Sequence, residues 1–209
     1  MIYKILLFGP QGCGKGTQAE LLSKELDVPA FGMGQLLRDE VSSQSGIGLK
    51  IDGILKSGNL VSDLVAAEVL QARLKRPDVA NGYILDSYPR NMEQYGMFTF
   101  DEPTHAIVID VPREESLKRL GGRLTCAKCG KVFSVNDGFK EGDACRCGGQ
   151  LIRRDDDTEA AILRRLEIYD NDTTPMLAKF EERGILRRVD GVGTVEEVQG
   201  RILNALGLN

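Results

Sequence analysis

The segment Gly9-Pro10-Gln11-Gly12-Cys13-Gly14-Lys15-Gly16-Thr17 puts four glycines, one lysine and one threonine into nine residues. Glycines let a backbone curl until successive N–H groups point inward at phosphate oxygens, and a lysine adds a full positive charge. The apolar run Ile5-Leu6-Leu7-Phe8 precedes the segment, and Ala19, Leu22 and Leu26 follow it at helical spacing. That strand–loop–helix setting is the context a Walker A loop needs, whereas a simple glycine turn has no use for it. Gly12, Cys13, Gly14, Lys15, Gly16 and Thr17 are therefore candidates for binding a nucleotide's phosphates. Cys13 occupies a variable position of such loops and reads as a small filler rather than a redox switch.

A second group of reactive side chains is the cysteines. Four of the five fall between Cys126 and Cys147, with no export signal ahead of them, which favours metal ligation over disulfides and points to the cytoplasm. Cys126-x-x-Cys129, followed by Gly130, is a good half of a zinc site. Cys145 and Cys147 precede Gly148-Gly149 and are separated by a single residue. Four-cysteine zinc is the expectation, with free thiols or a facultative disulfide as the alternatives. Such a metal would be structural, because four thiolates leave no open position.

The elements that must position these residues alternate along the chain. Ile2 to Phe8, Tyr83 to Leu85, Ala106 to Ile109 and Ile185 to Val189 are rich in β-branched and aliphatic residues, and between them run stretches of helical periodicity such as Lys15 to Leu26 and Ala66 to Arg76. This rhythm predicts an α/β protein built on a parallel sheet flanked by helices. Thr194 and Glu197 form a capping box that opens a last helix ending at Gly207. Two stretches interrupt the rhythm. The first, from about Gly32 to Val61, suggests short helices with glycine joints; the second, from Leu124 to Ile152, reads as a small hairpin-like module held by something other than a core.

Lys and Arg total 27 against 31 Asp and Glu, a net charge of −4, so no general basic field exists to hold a nucleic-acid backbone. The longest apolar run is far too short to span a membrane. His105, the only histidine, precedes a strand and reads as structural.

Directly after the lysine, Gly16 intervenes before Thr17, and this Gly-Lys-Gly-Thr ending resembles adenylate kinases and their nucleoside monophosphate kinase relatives. Leu85-Asp86-Ser87-Tyr88-Pro89-Arg90, with Gln94 four residues on, resembles the family's Leu-Asp-Gly-Phe-Pro-Arg motif and its adenine-reading glutamine. Gly34 to Arg38 resembles the start of the AMP-binding insertion, and Gly58-Asn59-Leu60-Val61 its closing hinge. Arg119 and Gly122-Arg123 match the residues at the lid's entry. Arg154, Asp156, Asp157, Glu159 and Arg165-Leu166 match its exit, and Val189-Asp190-Gly191 matches the loop beside ATP's adenine. Two departures stand out: Met33-Gly34-Gln35 replaces the usual Thr-Gly-Asp, and the second cysteine pair is one residue short of the usual C-x-x-C.

The resemblance implies a P-loop NTPase-type core of residues 1–31, 62–123 and 153–209, a monophosphate-binding insertion of residues 32–61 and a lid of residues 124–152. It implies reversible phosphoryl transfer, ATP plus AMP giving two ADP, with Mg2+ carried by ATP and structural Zn2+ in the lid of a monomer. Lys15, Asp86, Arg90, Arg123, Arg154 and Arg165 would be catalytic, with Asp86 holding Mg2+ through water. Besides the phosphate loop, ATP would meet Arg119, Arg123, Val132, Phe133 and Val192. AMP would meet Met33, Arg38, Asn59, Leu60, Val61, Ser87, Tyr88, Pro89, Arg90, Gln94, Arg154 and Arg165. Gln94 argues for adenine, while Met33 keeps a kinase for UMP or CMP as an alternative; a zinc-ribbon module using ATP as a switch is a further one. ATP and AMP carry about −4 and −2 at neutral pH, so a cage of arginines is needed to bring them together, and no general base is, because the acceptor is already an ionised phosphate.

Overall fold

Strand β1 (Tyr3–Phe8) is covered on both faces, which is why its apolar run is continuous rather than alternating. In the computed structural model, which describes residues 2–57, 59, 61–154 and 157–208, Ile5 and Leu7 join one buried cluster and Leu6 and Phe8 another. Burying a side chain of this size stabilises by about 1.5–3 kcal/mol, so these four residues alone anchor two layers of helices. After the phosphate loop come α1 (Lys15–Leu26), β2 (Ala30–Gly32), α2 (Met33–Ser42), α3 (Gly46–Lys56) and α4 (Asp63–Leu74). β3 (Gly82–Asp86), α5 (Met92–Met97), β4 (His105–Asp110) and α6 (Arg113–Gly121) follow. β5 (Arg123–Cys126), β6 (Val132–Ser134) and β7 (Leu151–Ile152) lead to α7 (Glu159–Ile168), α8 (Thr174–Glu182), β8 (Leu186–Asp190) and α9 (Val195–Leu206).

The main sheet is parallel throughout, in the order β2-β3-β1-β4-β8. The chain fills one side of β1 with β3 and β2 and then crosses to β4, so a crevice opens at the carboxyl end of β1. Leu7 pairs with Asp86, which brings the start of the phosphate loop beside the end of β3. The edge strand β2 is not legible in the sequence. Its three residues, Ala-Phe-Gly, have no β-branched run, and it exists because Phe31 pairs with Leu85.

The predicted hairpin-like module is a three-stranded antiparallel sheet, β6-β5-β7. Its own core is confined to Leu124, Cys126, Cys145 and Leu151, with Phe133 and Cys147 packed against them. So small a cluster cannot order nearly thirty residues by apolar burial alone. Among the described residues no helix is long and apolar enough to cross a membrane.

His105 begins β4, its Nδ1 lies 2.9 Å from Thr104 Oγ1, and its ring packs against Tyr3. Burial, and then the charge of Arg187, push its pKa below the usual 6.5. Between the lowered folded value and 6.5 the unfolded chain binds more protons, so this residue's contribution to stability falls as pH drops through that window. An NMR titration should place the imidazole midpoint below 6.5, and His105→Gln should leave intact the phosphoryl transfer that the resemblance implies. A midpoint above 6.5 would contradict the packing described.

Candidate active site

Gly14 precedes α1 with φ at +100°, a left-handed conformation that a side chain would strain, and a Cβ there would meet no atom within 4 Å. Backbone geometry, not crowding, demands the glycine, and the space before it is left for a ligand. No side chain caps α1 and no acidic residue stands in its first turn, so its leading N–H groups face the crevice. α9 is the contrast. There Thr194 and Glu197 complete the predicted capping box and use up the same kind of groups. Lys15, only 9% exposed, lies back across the loop and donates to the carbonyls of Gly9 at 2.7 Å and Pro10 at 3.0 Å. Its charge is thereby held at the centre of the loop's N–H groups.

The loop floors a cleft of about 1330 Å³, larger than the roughly 300–1,000 Å³ that one small ligand usually takes. Cationic side chains line it from separate parts of the chain, among them Lys15, Arg38, Arg90, Arg119, Arg123, Arg154 and Arg165. Gly12, Cys13, Gly14, Gly16, Thr17, Val132 and Phe133 line it too, as do Met33, Asn59, Val61, Asp86, Ser87, Tyr88, Pro89 and Gln94. Val192 does not. It sits in a shallow neighbouring groove with Asp110 and Arg188, while Gly191, Gly193 and Thr194 reach the cleft instead. Leu60, Gly58 and Asp156 lie outside the described residues.

The arginines are held by specific partners. Arg119 pairs with Glu115 at 2.7 Å and donates to the carbonyls of Cys13 at 3.4 Å and Gly191 at 3.1 Å, tying the phosphate loop to the loop after β8. Arg123 makes a two-pronged pair with Asp157, its Nε 2.7 Å from Oδ2, and the two side chains are only 13% and 5% exposed. Arg154 Nε donates to Thr125 Oγ1 at 2.9 Å. Arg90 Nε donates to the Ser87 carbonyl at 2.9 Å. The pKa of Arg90 is pushed down to about 10, first by burial, with Arg165 and Arg38 adding to the effect and Asp86 opposing it. Three guanidinium groups thus crowd one place, an arrangement that a dianion would relieve.

Sequence reasoning passed over Gln11. With its amide oriented to satisfy both neighbours, its oxygen accepts from Arg165 at 2.7 Å and from Arg123 at 3.1 Å. It occupies a variable position of the loop motif, so no local signal marked it. Asp157 and Asp63 were equally silent as partners, since each contacts a residue about thirty positions away. Ser87 stands where the resembling motif has glycine, adopts φ of +67°, and donates from Oγ to Asp86 Oδ1 at 2.5 Å.

The four lid cysteines converge, their sulfurs all within 4.8 Å of one another. Cys126 and Cys147 Sγ are 3.4 Å apart, and Cys129 and Cys145 Sγ 3.8 Å. Four Zn–S bonds of about 2.3 Å would need S···S edges of about 3.8 Å, so the set fits tetrahedral zinc. The short Cys145-x-Cys147 spacing works because a tight turn, Gly148 N–H to Cys145 C=O at 2.8 Å, aims both sulfurs the same way. Gly149 then passes so close to Cys126 that a Cβ would lie 2.6 Å from its sulfur. The Cys126 thiol is lowered to about 6, chiefly by the Cys129 backbone N–H and also by that of Lys128, which outweigh burial. Gly130, on the same knuckle, stands against Gln35 of α2, a Cβ there coming within 3.6 Å of its Oε1.

Comparison with known proteins agrees with this geometry. The sequence model of the family described as adenylate kinase matches residues 7–185. A protein of Geobacter sp. (strain M21) named adenylate kinase is 41% identical, the match covering 97% of this chain and 98% of that one. Adenylate kinases of Syntrophobacter fumaroxidans and Clostridium acetobutylicum are 37% and 34% identical, covering 97% and 98% of this chain and 99% of each relative. With an uncapped phosphate loop, a cleft lined by cations from separate parts of the chain and likeness over nearly its whole length, this chain belongs to the adenylate kinase family.

Proposed function

We propose that this enzyme transfers the terminal phosphoryl group of Mg-ATP to AMP, reversibly, giving two ADP. The observation that carries the reading is the convergence of Lys15 and six arginines, Arg38, Arg90, Arg119, Arg123, Arg154 and Arg165, on one cleft above the phosphate loop. Phosphates of charge about −4 and −2 repel, and fixed guanidinium groups offset that repulsion without having to reorganise. Lys15 and the loop N–H groups would take the donor phosphates, Arg119 and Arg123 their flank, Arg38 and Arg90 the acceptor phosphate, and Arg154 and Arg165 the group in transit. Thr17 and Asp86 both line the cleft beside the loop and suit Mg2+, a hard ion that keeps several waters. Bound there with ATP, it would neutralise phosphate charge. Residues 32–61 and 124–152 act in this reading as two lids on a core of 1–31, 62–123 and 153–209, and the approach of Gly130 to Gln35 supports their meeting over the substrates. Their closure would keep water from the transferring group. The four unbridged lid thiols suit a cytoplasmic protein holding zinc.

A coupled assay of ATP with AMP, UMP, CMP and GMP tests the reading, and AMP should be the best acceptor. Met33, apolar and 2% exposed where the resembling motif has a hydroxyl, favours the second reading, a kinase for another monophosphate. A higher kcat/KM for UMP or CMP would establish that one. Gln11→Ala should lower kcat/KM about ten-fold, the worth of one hydrogen bond to a charged group, because it releases Arg165 and Arg123 from the loop. Unchanged kinetics would remove Gln11 from the site.

A further inference from the structure

The Gln94 amide is held at both ends. Its Oε1 accepts from the Arg90 backbone N–H at 2.8 Å, and its Nε2 donates to Asp63 Oδ1 at 2.9 Å. Asp63 Oδ1 also accepts from Asn91 Nδ2 at 3.0 Å, and Asn91 Oδ1 caps the Gln94 N–H at 2.7 Å. A backbone N–H can only donate, and a carboxylate can only accept. Turning the amide over would set its NH2 against the Arg90 N–H and its oxygen against the Asp63 carboxylate. Gln94 is 2% exposed, so water cannot relieve either clash. Its orientation is therefore fixed before any ligand arrives.

An amide offers two N–H donors and two oxygen lone pairs. One of each is committed here, which leaves one donor and one acceptor in a fixed order along the lining of the cleft. A 6-aminopurine presents an N–H donor at position 6 and an acceptor at N1; a 6-oxopurine presents an acceptor at position 6 and a donor at N1. A glutamine that can turn over reads both edges. A locked one reads only the edge whose order matches its own.

We propose that Asp63 is the positioning residue that makes the acceptor site select an amino-bearing base over its oxo counterpart, AMP over IMP. The inference rests on the reading that Gln94 faces the acceptor's base. Asp63 itself, at the start of α4, does not line the cleft, so it acts through the amide rather than by touching the nucleotide. The same order of donor and acceptor occurs on cytosine and is reversed on uracil, so the lock also ranks CMP above UMP.

The test is steady-state phosphorylation of AMP and of IMP at saturating ATP by the wild type, Asp63→Asn and Gln94→Leu. An asparagine at position 63 can present an NH2 as well as an oxygen, so it removes the carboxylate's half of the restraint on the Gln94 amide and leaves the Arg90 N–H as the other half. The ratio of kcat/KM for AMP to that for IMP should fall about five-fold in Asp63→Asn, the low end of the range that one two-point base contact discriminates, because the Arg90 N–H still favours the native orientation. The change should lie in the acceptor KM, with the KM for ATP and the melting temperature retained, a pattern that a merely structural role would not produce. Asp63→Ser carries the same expectation should the asparagine variant fold poorly. An unchanged ratio in a folded variant overturns the proposal. If Gln94→Leu still raises the KM for AMP, the base contact survives that failure; if it does not, the base contact falls and this inference falls with it.

Discussion

Arg90→Ala should lower kcat/KM for phosphoryl transfer from ATP to AMP by about 10³ or more, equivalent to about 4 kcal/mol of transition-state stabilisation. The size follows from where the guanidinium stands. Arg90 lies in the crowd formed with Arg38 and Arg165, and its pKa is pushed down to about 10, chiefly by burial. Such a charge is poorly solvated by its buried surroundings, so it gains most when phosphate charge arrives beside it. Lysine should not rescue, since it lacks the planar fork that grips a phosphate at two points. Because Arg90 Nε also holds the Ser87 carbonyl, thermal melting of the variant must be followed in parallel. Activity within ten-fold of wild type in the folded variant would break the assignment of the acceptor phosphate to this corner of the cleft.

The second large effect concerns the lid. Purified protein should contain about one zinc per chain, and Cys126→Ser should lose it. The apolar cluster of the lid amounts to four buried residues and two partly buried ones, and structural zinc contributes of the order of 10 kcal/mol to small domains that lack a core of their own. The loss should be local first. Residues 124–152 should become cleavable by protease at least about ten-fold faster, while the parallel sheet, whose clusters do not include these residues, melts later. Activity should fall because Arg123 and Arg154 flank this segment in sequence, and Arg154 is bonded to Thr125 within it. Absence of metal in the wild type together with unchanged melting of Cys126→Ser would remove zinc from the account.

Much of the site was legible in the sequence because its chemistry is written locally. The phosphate loop needs its glycines at set offsets, the sheet strands need continuous apolar runs, and Asp86 and Arg90 sit within one short motif at the end of β3. Four cysteines within twenty-two residues can be read as one cluster without knowing the path between them. Even the helix caps follow from adjacent residues, as Thr194 and Glu197 demonstrate.

Tertiary structure decided what depends on partners far apart in the chain. Strand β2 has no propensity of its own and exists through its register with β3. Val192, which the resemblance set at ATP, lines a neighbouring groove with Asp110 and Arg188, while Gly191 and Gly193 on either side of it line the cleft. Whether a Cys-x-Cys pair could share a metal depended on the turn closed by Gly148. The pairing of Arg123 with Asp157, of Gln11 with Arg165, and of Gln94 with Asp63 could not be read from any window of residues, because each bond joins elements that only the folded sheet brings together. Sequence by itself determined which charges and phosphate-binding groups this protein carries. The fold determined how each is oriented, since a side chain's direction is set by what it packs against rather than by what precedes it.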